Sequence, residues 1–474
     1  MILKRTKIVA TMGPACSSVE MLSALAEAGM NVCRLNFSHG SHEDHKIVIE
    51  NIREVNRNLG IDLAILADLQ GPKLRIGEVE NNGVLLEDGG RLTITTTKMV
   101  GTSEKVYITY PQFPKDTRKG ERILLDDGKI ELEVLETNES DEVVTKVIHG
   151  GILSSKKGVN LPNTKVSLPS LTPKDYIDLD FALDNNVDWV ALSFVRSARD
   201  IIEVKHYIND KKKQALVIAK IEKPEAIEDI DDIIEETDAL MVARGDLGVE
   251  IPLQNVPLIQ KMLIKKCIRK AKPVIVATQM MESMIYNATP TRAEVNDVAN
   301  AVLDGADAVM LSAETSVGKF PLEVIKTMTK IVLEMETFDG IYHQETIPDP
   351  KQKHRFITDS ICLNACRLSA RVSAVAIITM THSGYTAFKI SSQRPKANIY
   401  VFTSNREMLC RLNLVWGVKC IFYDKTVSTD HTIADIKYIL RKDKLIKEGD
   451  LIINTASMPI TEMGMTNMVK LSYA

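Results

Sequence analysis

The sequence predicts an α/β protein built on a closed (β/α)8 barrel, with a small β-barrel lid domain inserted into it and a C-terminal α/β domain. Three observations carry this. Eight short β-branched runs are each followed by a helical pattern, and such alternation implies right-handed βαβ units and a parallel sheet. Eight of them suggest a closed barrel rather than an open sheet. One connection is far too long for a βα unit, and a separate α/β segment begins near residue 346.

The elements follow in order. TKIVATM precedes the helical SVEMLSALAEAG, which Ser17 or Ser18 starts and Gly29 ends. NVCRLNF precedes SHEDHKIVIENIREVNRNLG, and LAILADL is the third strand. About a hundred residues then pass before the helical TPKDYIDLDFALDNN. They hold GVLLEDGGRLTITT, ERILLDDGKIELEVLE and DEVVTKVIHGG, alternating segments split by Gly and Asp turns. That is the pattern of an antiparallel β module, placed to act as a lid over the barrel mouth. VDWVALSFV, ALVIAKIE, DALMVARG, PVIVATQM and DAVMLSAE complete the eight strands. SAVAIITM, NIYVFTS, KCIFYD and DLIINTA alternate with helices beyond them. The expected domains are residues 1–69 with 168–345 (barrel), 70–167 (lid) and 346–474 (C-terminal, regulatory).

Composition narrows the function. A net charge of −4 over 474 residues argues against a nucleic-acid-binding surface. No apolar run is long enough to span a membrane, and the N-terminal segment carries no signal-peptide pattern. Seven cysteines without CxxC pairs read as reduced thiols, so a cytoplasmic protein is expected.

Chemistry collects at the strand ends, where barrels of this kind place their sites. The second strand ends in Arg34, Asn36 and Ser38, and the third in Asp68. The fifth ends in Lys220 and Glu222, and the sixth in Arg244 and Asp246. Thr278 ends the seventh, and Ser312 and Glu314 the eighth. Residues at i and i+2 of a strand share a face, so Lys220 and Glu222 project together. Burying such charges is costly unless they are paired or bound to something. Glu222 and Asp246, on neighbouring strands, suit a shared Mg²⁺, or Mn²⁺, completed by water and substrate oxygens. The glycines of ARGDLG let backbone approach an anion at a helix start. No GxxxxGK[ST], HRD with DFG, or GxGxxG signature is present.

KIVATMGPACSS, CRLNFSHGSHEDH, LADLQGPKLRIG, SKKGVNLP, AKIEKPEA, MVARGDLGVEIP, ATQMMESM, PTRAEVNDVANAVLDGADAVMLSAETSVGKFP and THSGYTAFKISSQRP together resemble the pyruvate kinase family. The resemblance keeps the family's order over nearly the whole chain. It implies Mg²⁺-dependent phosphoryl transfer from phosphoenolpyruvate to ADP, giving pyruvate and ATP, the last step of glycolysis. It implies that Lys220 contacts the transferring phosphoryl group and stabilises the enolate, with Glu222 and Asp246 as metal ligands. Backbone from Ala243 through Arg244 and Gly245 to Asp246, with the Thr278 hydroxyl, would bind the substrate carboxylate, and Arg34 would clamp phosphate. Asn36, His39, Arg75 and Lys157 would lie near the nucleotide phosphates. Thr278, Ser312 and Glu314 would belong to the network that protonates the enolate carbon. A homotetramer is implied as well.

Two finer expectations concern ions and effectors. Many pyruvate kinases hold K⁺ near the equivalents of Asn36, Ser38 and Asp68 and a backbone carbonyl, here that of Leu69. Those members carry glutamate where this chain has Lys73, and threonine where it has Leu69. The chain resembles the potassium-independent bacterial-type subgroup, so K⁺ is expected not to be required, with Lys73 supplying the charge. THSGYTAF opens a helix with Thr381, Ser383, Gly384 and Thr386, suited to a phosphate at the helix start; an ordinary capped helix is the plainer alternative. The family binds phosphorylated effectors at this loop. ASMPITEMGMTN lacks Arg and Lys, so AMP or a sugar monophosphate is expected over fructose 1,6-bisphosphate.

Some features invite other readings. His39, His42 and His45 are spaced like metal ligands, but Ser41 and Asp44 read more simply as a capping box. Cys362 and Cys366 read as packing residues. A metal-dependent lyase on pyruvate or oxaloacetate would leave the lid and its lysines unexplained. A non-catalytic sugar-phosphate-binding regulator would have gaps among the strand-end residues, and there are none.

Overall fold

In the computed structural model, residues 4–162, 164, 166–351, 353–425, 428–458 and 465–474 are described. Eight parallel strands close a barrel in chain order: Lys7–Thr11, Val32–Asn36, Ala64–Asp68, Trp189–Leu192, Leu216–Ile221, Ala239–Ala243, Val274–Ala277 and Ala308–Leu311. The last pairs with the first, Lys7 opposite Ala308. Both faces of each strand are covered. In the first strand Ile8 and Ala10 pack outward under the helices, while Val9 joins Trp189, Met241 and Met310 inside. This explains why the strands read as continuous apolar runs rather than as alternating ones.

The interior is filled, and its N-terminal end is stoppered by the C-terminal domain. Leu414 belongs to the inner cluster, and the Trp189 indole donates to the Arg411 carbonyl at 3.3 Å. Arg394 grips Asp307 with two bonds of 2.9 and 3.1 Å, both side chains buried. Asp307 immediately precedes the eighth strand and also accepts the Val274 amide at 3.0 Å. A ligand can therefore enter only at the opposite, C-terminal mouth.

The insert forms a six-stranded sheet and a two-stranded one around its own core. Arg75 pairs with Gly158 at one edge of the larger sheet, and Ile76 with Ile108 at the other. That segment closes the sheet into a small barrel. The expected all-antiparallel pairing holds except for Lys105–Tyr107, which runs parallel to Arg91–Thr95. The lid rests on the barrel mouth: the Asn160 amide donates to Glu250 at 2.8 Å.

The C-terminal sheet has five strands, one more than the sequence suggested. Met468–Tyr473 adds antiparallel to Leu451–Ala456. It is an edge strand with no fully buried face, so its apolar pattern is weak. Among the described residues no helix is long and apolar enough to cross a membrane. All seven cysteines are free thiols; Cys362 and Cys366 are packed in the C-terminal core.

Candidate active site

The strand periodicity delivers Lys220 and Glu222 to one face, and tertiary structure then surrounds them. The Lys220 ammonium lies 3.0 Å from Glu222 Oε1, 3.1 Å from Asp68 Oδ1 and 2.6 Å from Ser193 Oγ. Burial opposes its charge, but the carboxylates of Asp68 and Glu222 outweigh that and hold its pKa above the ordinary lysine value. Asp68 is buried too, yet Lys220 and Arg34 together draw its pKa down. Its contact with Lys220 is ionic rather than an aligned hydrogen bond. Arg34 donates to Asp68 at 2.7 Å and to Thr11 Oγ1 at 2.8 Å, and Thr11 donates to the Leu311 carbonyl at 2.8 Å. One chain of polar contacts thus crosses the ends of six strands.

Glu222 is 1% exposed and accepts the Phe194 amide at 2.7 Å. Burial pushes its carboxyl pKa up, and the charge of Asp246 adds to this, against the pull of Lys220. A carboxylate so placed favours a cation. Among the described residues no group of three or more His, Cys, Asp or Glu could hold a metal by itself. A pair of carboxylates fits Mg²⁺, which keeps much of its shell for water and substrate oxygens, and does not fit a structural zinc site. His39, His42 and His45 follow the capping-box reading and form no metal-holding group among the described residues. Ser41 and Asp44 form the capping box, His42 meets Asp178 at 2.8 Å and stacks on Phe181, and His45 binds the His39 carbonyl.

On the far side of the mouth, Thr278 sits at φ 67°, and Gln279 follows at 54°. A β-branched residue in the left-handed region costs about 1–3 kcal/mol and persists only where its surroundings impose it. Arg244 imposes it here. Its guanidinium binds Asp297 at 2.7 Å through both nitrogens and the Thr278 carbonyl at 2.7 Å. That side chain braces the loop and does not enter the mouth, so only the backbone of Arg244 is available to a ligand there. The turned Thr278 accepts the Gly245 amide at 2.8 Å, where a Cβ on Gly245 would lie 3.3 Å from its hydroxyl. Glu314, 3% exposed, accepts the amides of Ser312 at 2.7 Å and Met281 at 3.3 Å. Burial raises its pKa against those bonds.

The remaining predicted residues are more scattered. Asn36 Oδ1 accepts the Ser38 amide at 3.1 Å, and the His39 side chain is exposed beside them. In the lid, Arg75 donates to the Lys156 carbonyl at 3.0 Å and Lys157 pairs with Asp126 at 2.8 Å. Lys73 reaches down to 3.8 Å from Asp246 Oδ1. Leu69 is buried, and its carbonyl accepts the Ser193 hydroxyl at 2.7 Å.

Two family models account for most of the chain. The pyruvate kinase barrel domain matches residues 3–325, and the pyruvate kinase alpha/beta domain matches residues 359–472. The chain belongs to the pyruvate kinase family. The pyruvate kinase of Geobacillus stearothermophilus is 46% identical over 470 residues, covering 98% of this chain and 80% of that one. That of Bacillus licheniformis is 44% identical over 471 residues, covering 99% and 80%. A crystal structure of a pyruvate kinase from Cryptosporidium parvum superimposes with a TM-score of 0.91 at 36% identity, covering 99% of this chain and 96% of that one.

Against this family background, sequence reasoning missed Thr11, Ser193 and the Phe194 amide. Thr11 and Ser193 are small hydroxyls at ends of strands that carried no charge, so nothing in their immediate sequence marks them. It also missed cations around THSGYTAF. Thr381, Ser383 and Thr386 line a cavity of about 450 Å³ together with Arg355, Tyr385 and Lys425. Gly384 caps the helix Tyr385–Ser392 at φ 82°, its amide bound to Thr381 Oγ1 at 3.0 Å. Arg355 stacks over Tyr385 and Lys425 pairs with Asp435. Residues 459–464 of the lysine-free loop ASMPITEMGMTN lie outside the described residues.

Proposed function

We propose that this chain performs the pyruvate kinase reaction, from phosphoenolpyruvate and ADP to pyruvate and ATP, with the following division of labour. Lys220 supplies the fixed positive charge at the point where negative charge grows on the phosphoryl and enolate oxygens. Arg34, held by Asp68 and Thr11, clamps the phosphate. Backbone from Ala243 to Asp246 and the Thr278 hydroxyl seat the carboxylate. Glu222 and Asp246 would hold Mg²⁺, which would supply positive charge to offset the phosphoryl group's negative charge. Asn36, His39, Arg75 and Lys157 meet the nucleotide phosphates between barrel and lid. Thr278, Ser312 and Glu314 hold the water that brings a proton to the enolate carbon, and the raised pKa of Glu314 suits it to proton traffic.

The observation that carries this reading is the buried Lys220 ammonium between Asp68 and Glu222 at the mouth of a stoppered barrel. A lactate-dehydrogenase-coupled assay with phosphoenolpyruvate, ADP and Mg²⁺ tests it. Turnover that depends on all three is expected; a lyase would consume its substrate without nucleotide.

The cavity at Thr381, Ser383, Gly384 and Thr386 is the proposed effector site. Its hydroxyls and helix start suit one phosphate, and AMP or a sugar monophosphate is the expected activator. Arg355 and Lys425 bring more positive charge to it than the local sequence suggested, although Lys425 is paired with Asp435. Substrate saturation curves with AMP, glucose 6-phosphate and fructose 1,6-bisphosphate decide the ranking. A left shift with the monophosphates is expected, and activation by the bisphosphate alone would reverse it. Assembly as a homotetramer is read by light scattering on the purified protein.

A further inference from the structure

We infer that Ser193 is a positioning residue for Lys220, an inference that rests on the role proposed for that lysine. The ammonium lies among three oxygens, Asp68 Oδ1, Glu222 Oε1 and Ser193 Oγ, and its aligned hydrogen bond goes to Ser193. Two are anions whose charge acts along any direction, so they attract the ammonium without fixing its orientation. Ser193 is different. Its hydroxyl proton is directed to the Leu69 carbonyl at 2.7 Å, so its oxygen faces Lys220 as an acceptor. The side chain is 2% exposed, and Phe194, next in the chain, is fixed at φ 55° with its amide on Glu222. Gly71, at φ 68°, packs so closely that a Cβ there would lie 2.9 Å from Ser193 Cβ. Ser193 is thus immobilised on both sides. It supplies a neutral, directional acceptor that stops the ammonium from collapsing onto the two carboxylates. It also links the ammonium to the backbone carbonyl that follows Asp68.

Ser193→Ala removes the acceptor and leaves every charge in place. A misplacement of about 1 Å at a reacting centre can cost on the order of 10²-fold, so kcat should fall by ~10-fold or more. KM for phosphoenolpyruvate should stay within about twofold, as for an interaction that matters in the transition state. The lysine acts on the enolate, so Ser193→Ala should slow exchange of the pyruvate methyl protons with deuterated water, followed by NMR, by a similar factor. Ser193→Thr, which keeps the hydroxyl, should restore most of both rates. Should the alanine variant not fold, Ser193→Cys provides the same comparison with a weak acceptor of similar shape.

Lys220→Met is measured alongside, alone and with Ser193→Ala. If Lys220 acts as proposed, the double variant should be no slower than Lys220→Met. Near-normal turnover in Lys220→Met would remove the role on which the inference rests. A slow Lys220→Met beside a Ser193→Ala variant with normal kcat would overturn the inference alone. So would a loss confined to KM, or a threonine variant no better than alanine.

Discussion

Lys220→Met is expected to lower turnover by at least ~10²-fold, the scale for losing one preorganised electrostatic contact in a water-poor site. Methionine keeps much of the lysine stem's length and bulk, so the change is mainly one of charge. The KM for phosphoenolpyruvate should move much less, because Arg34 and the backbone at Gly245 would still bind the ground state. The variant also leaves Asp68 and Glu222 buried with less compensation, which is itself destabilising. A thermal melt of the same preparation separates the two effects. A lowered midpoint with a fully folded, slow enzyme at assay temperature is the expected pattern. A folded variant with near-normal turnover would take Lys220 out of the mechanism.

Activity should persist when Na⁺ and K⁺ are replaced by tetramethylammonium, and Lys73→Glu should make the enzyme depend on K⁺. Three of the four groups expected to hold K⁺ elsewhere in the family have protein partners here. Asp68 is held by Arg34 and Lys220, Asn36 Oδ1 accepts the Ser38 amide, and the Leu69 carbonyl accepts Ser193. Lys73 stands at the mouth 3.8 Å from Asp246 and supplies a cation on a flexible stem. Replacing it with glutamate changes the local charge by two units beside the proposed metal ligands. At a few ångströms each unit charge is worth several kcal/mol at an effective dielectric near ~20, so a K⁺-free rate at least ~10-fold lower is expected. Steady-state rates in the two salts check this. An unmodified enzyme that is nearly inactive without K⁺ would refute the substitution argument and return Asn36, Ser38 and Asp68 as ligands.

The barrel was legible in the sequence because each strand is buried on both faces by its own βα unit. TKIVATM, LAILADL and LVIAKI carry that burial as local apolar runs, and the period-two geometry alone puts Lys220 beside Glu222. The capping box at Ser41 was equally local, since cap and partner lie three residues apart. The edge strand Met468–Tyr473 was not legible, because its pairing partner, not its own pattern, makes it a strand. What only the tertiary structure decided is which charges face the mouth. Arg244 stood among the polar strand ends expected to line the mouth, but Asp297, fifty-three residues away, holds its guanidinium where it braces Thr278 in its strained conformation. Ser193 looked like nothing, and is brought within 2.6 Å of Lys220 by barrel closure. Strand-end position is set by local periodicity, whereas the direction of a long side chain is set by whichever counter-charge the fold brings within reach.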